Sequence, residues 1–386
     1  MSGMLGAVMM GLTGPFVGVI ARKTLHASAF ELGLLTTASV AGNVLSLQWA
    51  NMMEGRPKMP YALWAWVIAR SLFIACLFTT TSLSFVLVIS LINFIVSIAT
   101  PAYSALMKEI YPDGDRGTIM GYARVCTIGV YVLVTMVAAP LVAGTNYRLA
   151  FPVAGVFGVV SAFVFGRIKS SEVSGDATVS PWQFFVDGLL ILRDDRGFRW
   201  FCTGIFVYGF ANFMITPLQT IWQVKIGVDE RWAAIYSVVS SALMMVSYFY
   251  WGKIVDRKRP EWVISVQTFA WAFVPVLYCI ASEPWMLLPA AVVGGIIGAG
   301  LELSYFNGVL HFAPADRVTQ YQGLFFLLIG IRGIVAPMVG AALQQSRILT
   351  TQQVFLVSAI MILGSVLIQM AGMRRYQSQF AGDDNT

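Results

Sequence analysis

Four ionisable side chains, Arg70, Arg124, Glu302 and Arg332, interrupt otherwise uncharged apolar runs of this sequence. An ionised group at bilayer depth costs about 3 kcal/mol or more unless it meets water or a partner, so each marks a place where chemistry is expected. Glu302 is the leading candidate. It lies about nine residues, or ~14 Å of rise, from the nearer end of its helix. A carboxyl at that depth is suited to take up and release a proton near neutral pH. Arg332 keeps its charge even when buried. It is suited to hold an anionic group, or to pair with Glu302 until a proton or ligand competes. Arg124, nearer a helix end, reads as a gate, and Arg70 as a structural or snorkelling cation.

Uncharged polar residues form faces around these four. Asn93, Ser97, Thr100 and Tyr103 follow one another at steps of four, three and three, which is one side of a helix. Moved along the chain by 202 positions, that side becomes Gly295, Ala299, Glu302 and Tyr305. Thr135, Tyr131 and Arg124 share a second face. Arg332 precedes Pro337 by five residues as Thr135 precedes Pro140, which puts the arginine on the matching face. Tyr208, Asn212, Thr216, Gln219 and Gln223 make a hydrogen-bonding stripe without charge, whereas Gly6, Met10, Gly14 and Val17 are its apolar counterpart. Polar contacts are therefore expected chiefly from the fourth, seventh and tenth helices.

The elements that carry these faces follow from composition. Hydrophobic residues make up 58% of the 386 and charged residues 11%, with a mean hydropathy of +0.74. Soluble domains carry roughly 25% charged residues, so a water-soluble enzyme is excluded. At about 32 residues per crossing helix and loop, the length gives twelve passes. With the amino terminus placed in the cytoplasm, loops on that side hold sixteen Lys and Arg against six outside, so both ends are expected inside. These cations account for the net charge of +6, leaving no support for nucleic-acid binding. The polar stretch Lys169–Ser180 divides the chain. Beyond it, Ser180-Pro181 opens a helix whose Trp182, Phe185, Val186, Leu189 and Leu190 suit the membrane interface. The expected layout is a six-helix bundle over 1–168, a cytoplasmic linker with an interfacial helix over 169–197, a second six-helix bundle over 198–373, and a cytoplasmic tail over 374–386.

The two halves repeat. At one offset of 202, Pro15 matches Pro217, Lys23 matches Lys225, Trp49 matches Trp251, Glu54 matches Asp256, and Tyr103 matches Tyr305. Asp115-Arg116 and Asp316-Arg317 match at 201. Ala139-Pro140-x-x-Ala143-Gly144 answers Ala336-Pro337-x-x-Gly340-Ala341. Duplicated six-helix halves are a transporter architecture with the substrate site between them at mid-membrane. The run Gly252 to Arg259, with Asp256-Arg257 at its centre, resembles the G-x-x-x-D-R-x-G-R-K signature of the major facilitator superfamily. The first-half copy around Glu54 and Arg56 is degenerate, with Ala50 for Gly and no Arg after the acid. The Ala-Pro elements are similar to the family's Gly-Pro-x-x-Gly-Gly run, which recurs in exporters. The resemblance implies an all-α membrane protein of twelve spans in two pseudo-symmetric bundles. It also implies a cytoplasmic latch carried by Asp256 and Arg257 and by Glu54 and Arg56; the repeated Asp115-Arg116 and Asp316-Arg317 pairs and Arg124, by their place in the chain, are expected to join that gate.

Other chemistries find no residues. Cys76, Cys126, Cys202 and Cys279 sit in apolar stretches without paired spacing and read as small buried hydrophobes. His26 and His311 have no spaced partners, so no metal is expected. No phosphate-cradling loop or other cofactor motif is present, and no nucleophile–base pair points to an enzyme. The first basic residue is Arg22, which argues against a cleaved leader, and the chain lacks an Asn-x-Ser/Thr triplet, as fits a bacterial inner membrane. The expectation is a monomeric secondary transporter in the cell membrane, moving a small organic solute by alternating access with protons coupled through Glu302. Its solute-binding set is Arg332, the polar faces of the fourth and seventh helices, Tyr305, Tyr131 and Thr135. Export of an amphipathic or anionic solute is slightly preferred. The alternatives are uptake or uniport of a neutral polar solute such as a sugar, a lipid translocator, and a non-transporting sensor or scaffold.

Overall fold

The computed structural model describes residues 1–45, 49, 52–53, 56–110, 116–143, 146–168, 190–258, 260–313 and 318–383. Among them are twelve long helices and no strand. The first half holds α1 (Ser2–Thr24), α2 (Ala29–Val44), α3 (Lys58–Phe78), α4 (Ser82–Ile110), α5 (Arg116–Val142) and α6 (Tyr147–Gly166). The second holds α7 (Arg196–Lys225), α8 (Glu230–Arg257), α9 (Trp262–Ile280), α10 (Leu288–Phe312), α11 (Val318–Gln345) and α12 (Thr351–Asp383). Eleven are long and apolar enough to cross a bilayer, and α2 is shorter. Of the residues expected in the interfacial helix only Leu190 is described, where it is helical and exposed.

Local chemistry sets the helix ends. Asp195 accepts from the Phe198 N–H at 2.8 Å before α7, and Asp229 from the Trp232 N–H at 2.9 Å before α8. Ser28 and Glu31 form a reciprocal capping box at the start of α2. At its end α3 tightens to a 3-10 turn over Leu72–Phe78, and the Thr79 hydroxyl donates to the Cys76 carbonyl. The duplication reaches into the turns. The α1–α2 connection passes through positive φ at His26 (58°), and the α7–α8 connection does so at Gly227 (92°), one residue from the 202 offset.

Packing repeats as well. Within the first half, α1 packs on α5 and α6, α2 on α4, and α3 on α4 and α6. In the second half α7 packs on α11 and α12, α8 on α10, and α9 on α10 and α12, the same scheme moved by six helices. The halves meet through α2 against α11, the more extensive seam, and through α5 against α8. One hydrophobic core spans both halves, joining Phe16, Ile20, Phe85 and Phe151 to Leu218, Trp222, Tyr278 and Phe355. These residues cluster toward the end marked by Thr24 and Ala29. Toward the opposite end the halves hold separate cores, around Ala62, Leu106 and Phe165 in one and around Phe198, Phe201 and Phe325 in the other. Of the described first-half residues, Val44 packs against the latter. Exposed apolar side chains such as Leu133, Phe249 and Leu367 ring the mid-sections of the helices, as a lipid-facing surface requires.

Cys76 and Cys202 are buried as expected, whereas Cys126 is exposed and Cys279 partly so. Of the α10 glycines, Gly295 lies against the Ser240 backbone of α8, whereas nothing lies within 4 Å of a side chain built at Gly298.

Candidate functional site

Glu302 stands ten residues before the end of α10 and Tyr248 nine before the end of α8, so both sit near mid-depth. The Tyr248 hydroxyl donates to the Glu302 carboxylate; Glu302 is exposed and Tyr248 half-buried. The direction of that exposure follows from α8. Ser237, whose hydroxyl lies 2.6 Å from the Tyr131 hydroxyl of α5 in the other half, precedes Tyr248 by eleven residues. Eleven residues are three helical turns plus about 20°, so the two share a face. Tyr248 and Glu302 thus look onto the space between the halves.

That space is closed at one end. Lys23 of α1 and Glu230 of α8 form an ion pair at 2.8 Å, with Glu230 only 4% exposed. The Thr37 hydroxyl donates to the Ile334 carbonyl across the α2–α11 seam at 3.2 Å. Tyr131, in the α5–α8 contact, stands eleven residues before the end of α5, ~16 Å from that end. These polar links between halves all lie in the part of the molecule that holds the shared core.

Arg332 does not join Glu302. It is 4% exposed and packs within its own half. Its Nη1 donates to the Ile205 carbonyl of α7, its guanidinium carbon sits 5.8 Å from the Phe213 ring centre, and Tyr208 and Tyr305 lie beside it. Gly209 makes this approach feasible, because any Cβ there would overlap the guanidinium. Arg332 Nε finds no acceptor, and no carboxylate of the described residues reaches the group. Arg70 repeats the device in the first half. Its Nη1 donates to the Gly158 carbonyl of α6 at 2.6 Å, its cation lies 4.9 Å from the Trp66 ring centre, and its methylenes run against Gly158 while its backbone carbonyl faces Gly155. The structural role read from sequence is the one its contacts fit.

The polar faces turn out differently from one another. Ser97 is buried, donates to its own Phe94 carbonyl and abuts Gly42 of α2, while Thr100 is exposed and Asn93 half-buried. Tyr103 points to α3 and α6, with ring centres 5.6 Å from Trp66 and 5.8 Å from Phe165. Its repeat mate Tyr305 is instead enclosed with Arg332. Thr135 is buried and reaches the Gly11 carbonyl of α1 at 3.5 Å. The α7 stripe faces inward to α9: Trp271 donates to the Asn212 side chain at 2.9 Å, Thr216 to the Asn212 backbone, and Gln223 to the Tyr278 hydroxyl at 2.6 Å. With Gln219, the stripe borders a half-open cavity of about 250 Å³ walled by α7, α8, α9 and α10.

Of the expected latch, Arg56 is exposed and donates to the Tyr61 hydroxyl, and Arg257 is exposed at the end of α8. Glu54, Asp115, Asp316 and Arg317, and the side chains of Arg116, Arg124 and Asp256, lie outside the described residues. Sequence reasoning missed Tyr248, Glu230 and the α9 aromatics Trp271 and Tyr278. Helical spacing from Ser237 could have found Tyr248, but the α9 rings carry no signal apart from their neighbours. Among the described residues no three His, Cys, Asp or Glu side chains gather as a metal site would need.

Two helical halves related by duplication, sealed at one end around a mid-depth carboxylate, define a membrane transporter architecture. The family model described as Major Facilitator Superfamily matches residues 1–337, and the chain belongs to that family. Among solved structures, it is similar to a mutant form of the nucleoside transporter NupG, with a TM-score of 0.75, 15% identity, and coverage of 96% of this chain and 98% of that one. It is also similar to a bacterial homologue of the human lysosomal transporter Spinster in an inward-facing, occupied conformation. There the TM-score is 0.69 and the identity 13%, over 97% of this chain and 96% of that one. At such identities the likeness is one of fold. No curated protein sequence matches the chain.

Proposed function

We propose that the protein is a secondary active transporter that moves a small organic solute by alternating access, coupled to protons at Glu302. The observation that carries the coupling is the exposed Glu302, hydrogen-bonded to half-buried Tyr248, at mid-depth on the face toward the opposing half. A carboxyl there meets the aqueous side to which the cleft opens, and rocking of the halves changes which side that is. Proton and solute bias the same two-state equilibrium, which couples their gradients.

With both termini cytoplasmic, the Lys23–Glu230 end faces outward and the state described is inward-facing. In the opposite state the cytoplasmic side closes, and Asp256, Arg257, Glu54, Arg56, Arg124 and the paired Asp115-Arg116 and Asp316-Arg317 act as its latch. The chain works as a monomer in a bacterial inner membrane, with 1–168 and 198–373 as the rocking units. Enclosure of Arg332 weighs against an anionic solute, because the guanidinium is already engaged with a backbone carbonyl and aromatic rings. A neutral polar solute fits that arrangement better.

Reconstituted protein tests the coupling. Glu302→Gln is expected to abolish solute accumulation driven by a pH gradient while solute counterflow, which needs no gradient, persists. Unchanged pH-driven accumulation in that variant removes Glu302 from the mechanism.

A further inference from the structure

The half-open cavity of about 250 Å³ inside the second half touches neither the Glu302 pair nor the latch. Several of its polar groups are already engaged. Tyr236 donates to the Pro284 carbonyl at 2.6 Å, Ser240 to the Ala291 carbonyl at 2.7 Å, and Trp271 to Asn212. Others are left over. Gln223 uses its amide N–H on Tyr278, which leaves the Gln223 carbonyl oxygen and the Tyr278 proton uncommitted. Gln219 has no partner for its donor or its acceptor among the described residues. The cavity therefore offers donors and acceptors together, between the rings of Tyr236, Trp271 and Tyr278. No charged side chain lines it.

We infer that this cavity seats an uncharged, ring-shaped polar solute, held edge-on by Gln219 and Gln223 against the aromatic wall. The inference rests on the transport reading and names the chemistry of what is carried. An anion or cation entering would lose water without meeting a counter-charge. An uncharged ring with an amide-like edge replaces its water hydrogen bonds and gains aromatic contact. Sites that hydrogen-bond a ligand also discriminate strongly against analogues lacking the matching group. The cavity is tied to the conformational cycle, since Ser237 on its wall also holds Tyr131 of the other half. A bound solute thereby stabilises or releases the α5–α8 contact.

Three matched pairs of probes test this on the purified full chain by thermal shift: nicotinamide with nicotinate, uracil with orotate, and glucose with glucuronate. At least one neutral member is expected to raise the melting temperature, with its anionic mate at least about tenfold weaker. Gln219→Leu removes the free amide. Gly294→Leu fills the cavity from α10, where a built Cβ meets only Ser240 Oγ at 3.7 Å. Both are expected to weaken the neutral probe at least about tenfold with the unliganded melting temperature unchanged. Equal binding of the anions, affinity that survives both variants, or no binding by any neutral member overturns the inference. Counterflow of the bound probe separates the two claims. Its absence in wild type defeats transport of that solute, whereas its persistence in Gly294→Leu defeats the cavity alone.

Discussion

At the residue scale, the buried arginine and the exposed glutamate have exchanged the parts that intuition gives them. Arg332 is locked to the Ile205 carbonyl in a notch made by Gly209, and Glu302 faces the cleft. Arg332→Gln should therefore lower stability rather than solute affinity. Loss of a charged donor to a buried carbonyl costs about 1–3 kcal/mol. A reduced melting temperature in detergent with solute affinity within about twofold of wild type would agree with this role, whereas affinity loss at unchanged stability would contradict it. The sequence marked both residues, because an ionisable group in an apolar run is conspicuous. Their partners were not legible. Ile205 lies 127 positions from Arg332, and a backbone carbonyl has no side-chain signature.

At the element scale, the helices and their order were readable from the chain. Apolar run lengths, the Ser28–Glu31 capping pair and the Asp caps of α7 and α8 each record a boundary in local chemistry. The direction of a face was harder. Tyr103 and Tyr305 occupy equivalent positions, yet one packs against Trp66 and Phe165 and the other meets Phe325 edge-on beside Arg332. Duplication preserves a backbone scheme more faithfully than it preserves what each side chain touches. The α2–α11 seam shows the same dependence on small residues. Gly333 faces Val40, and Gly330 faces Val44, with no room for a Cβ. Gly333→Val should push the seam apart and slow the exchange of states, seen as reduced counterflow with near-normal ligand affinity. Unaltered counterflow would mean that α2 and α11 do not need this close approach.

At the scale of the whole molecule, the two halves share a core at one end and keep separate cores at the other. The repeated packing scheme makes each half a unit, so motion falls at the seams. Lys23 and Glu230 bridge those units at the sealed end. A Lys23→Cys, Glu230→Cys pair joined by a short thiol cross-linker should stop transport, and reduction should restore it. Transport that continues through the cross-link would show that this end does not open. The joined core has a further bearing on temperature. Prising that end apart wets a largely hydrocarbon surface, and the attraction between such surfaces weakens on cooling. Chilling should thus favour the form open at that end, making the balance between the two forms a thermometer.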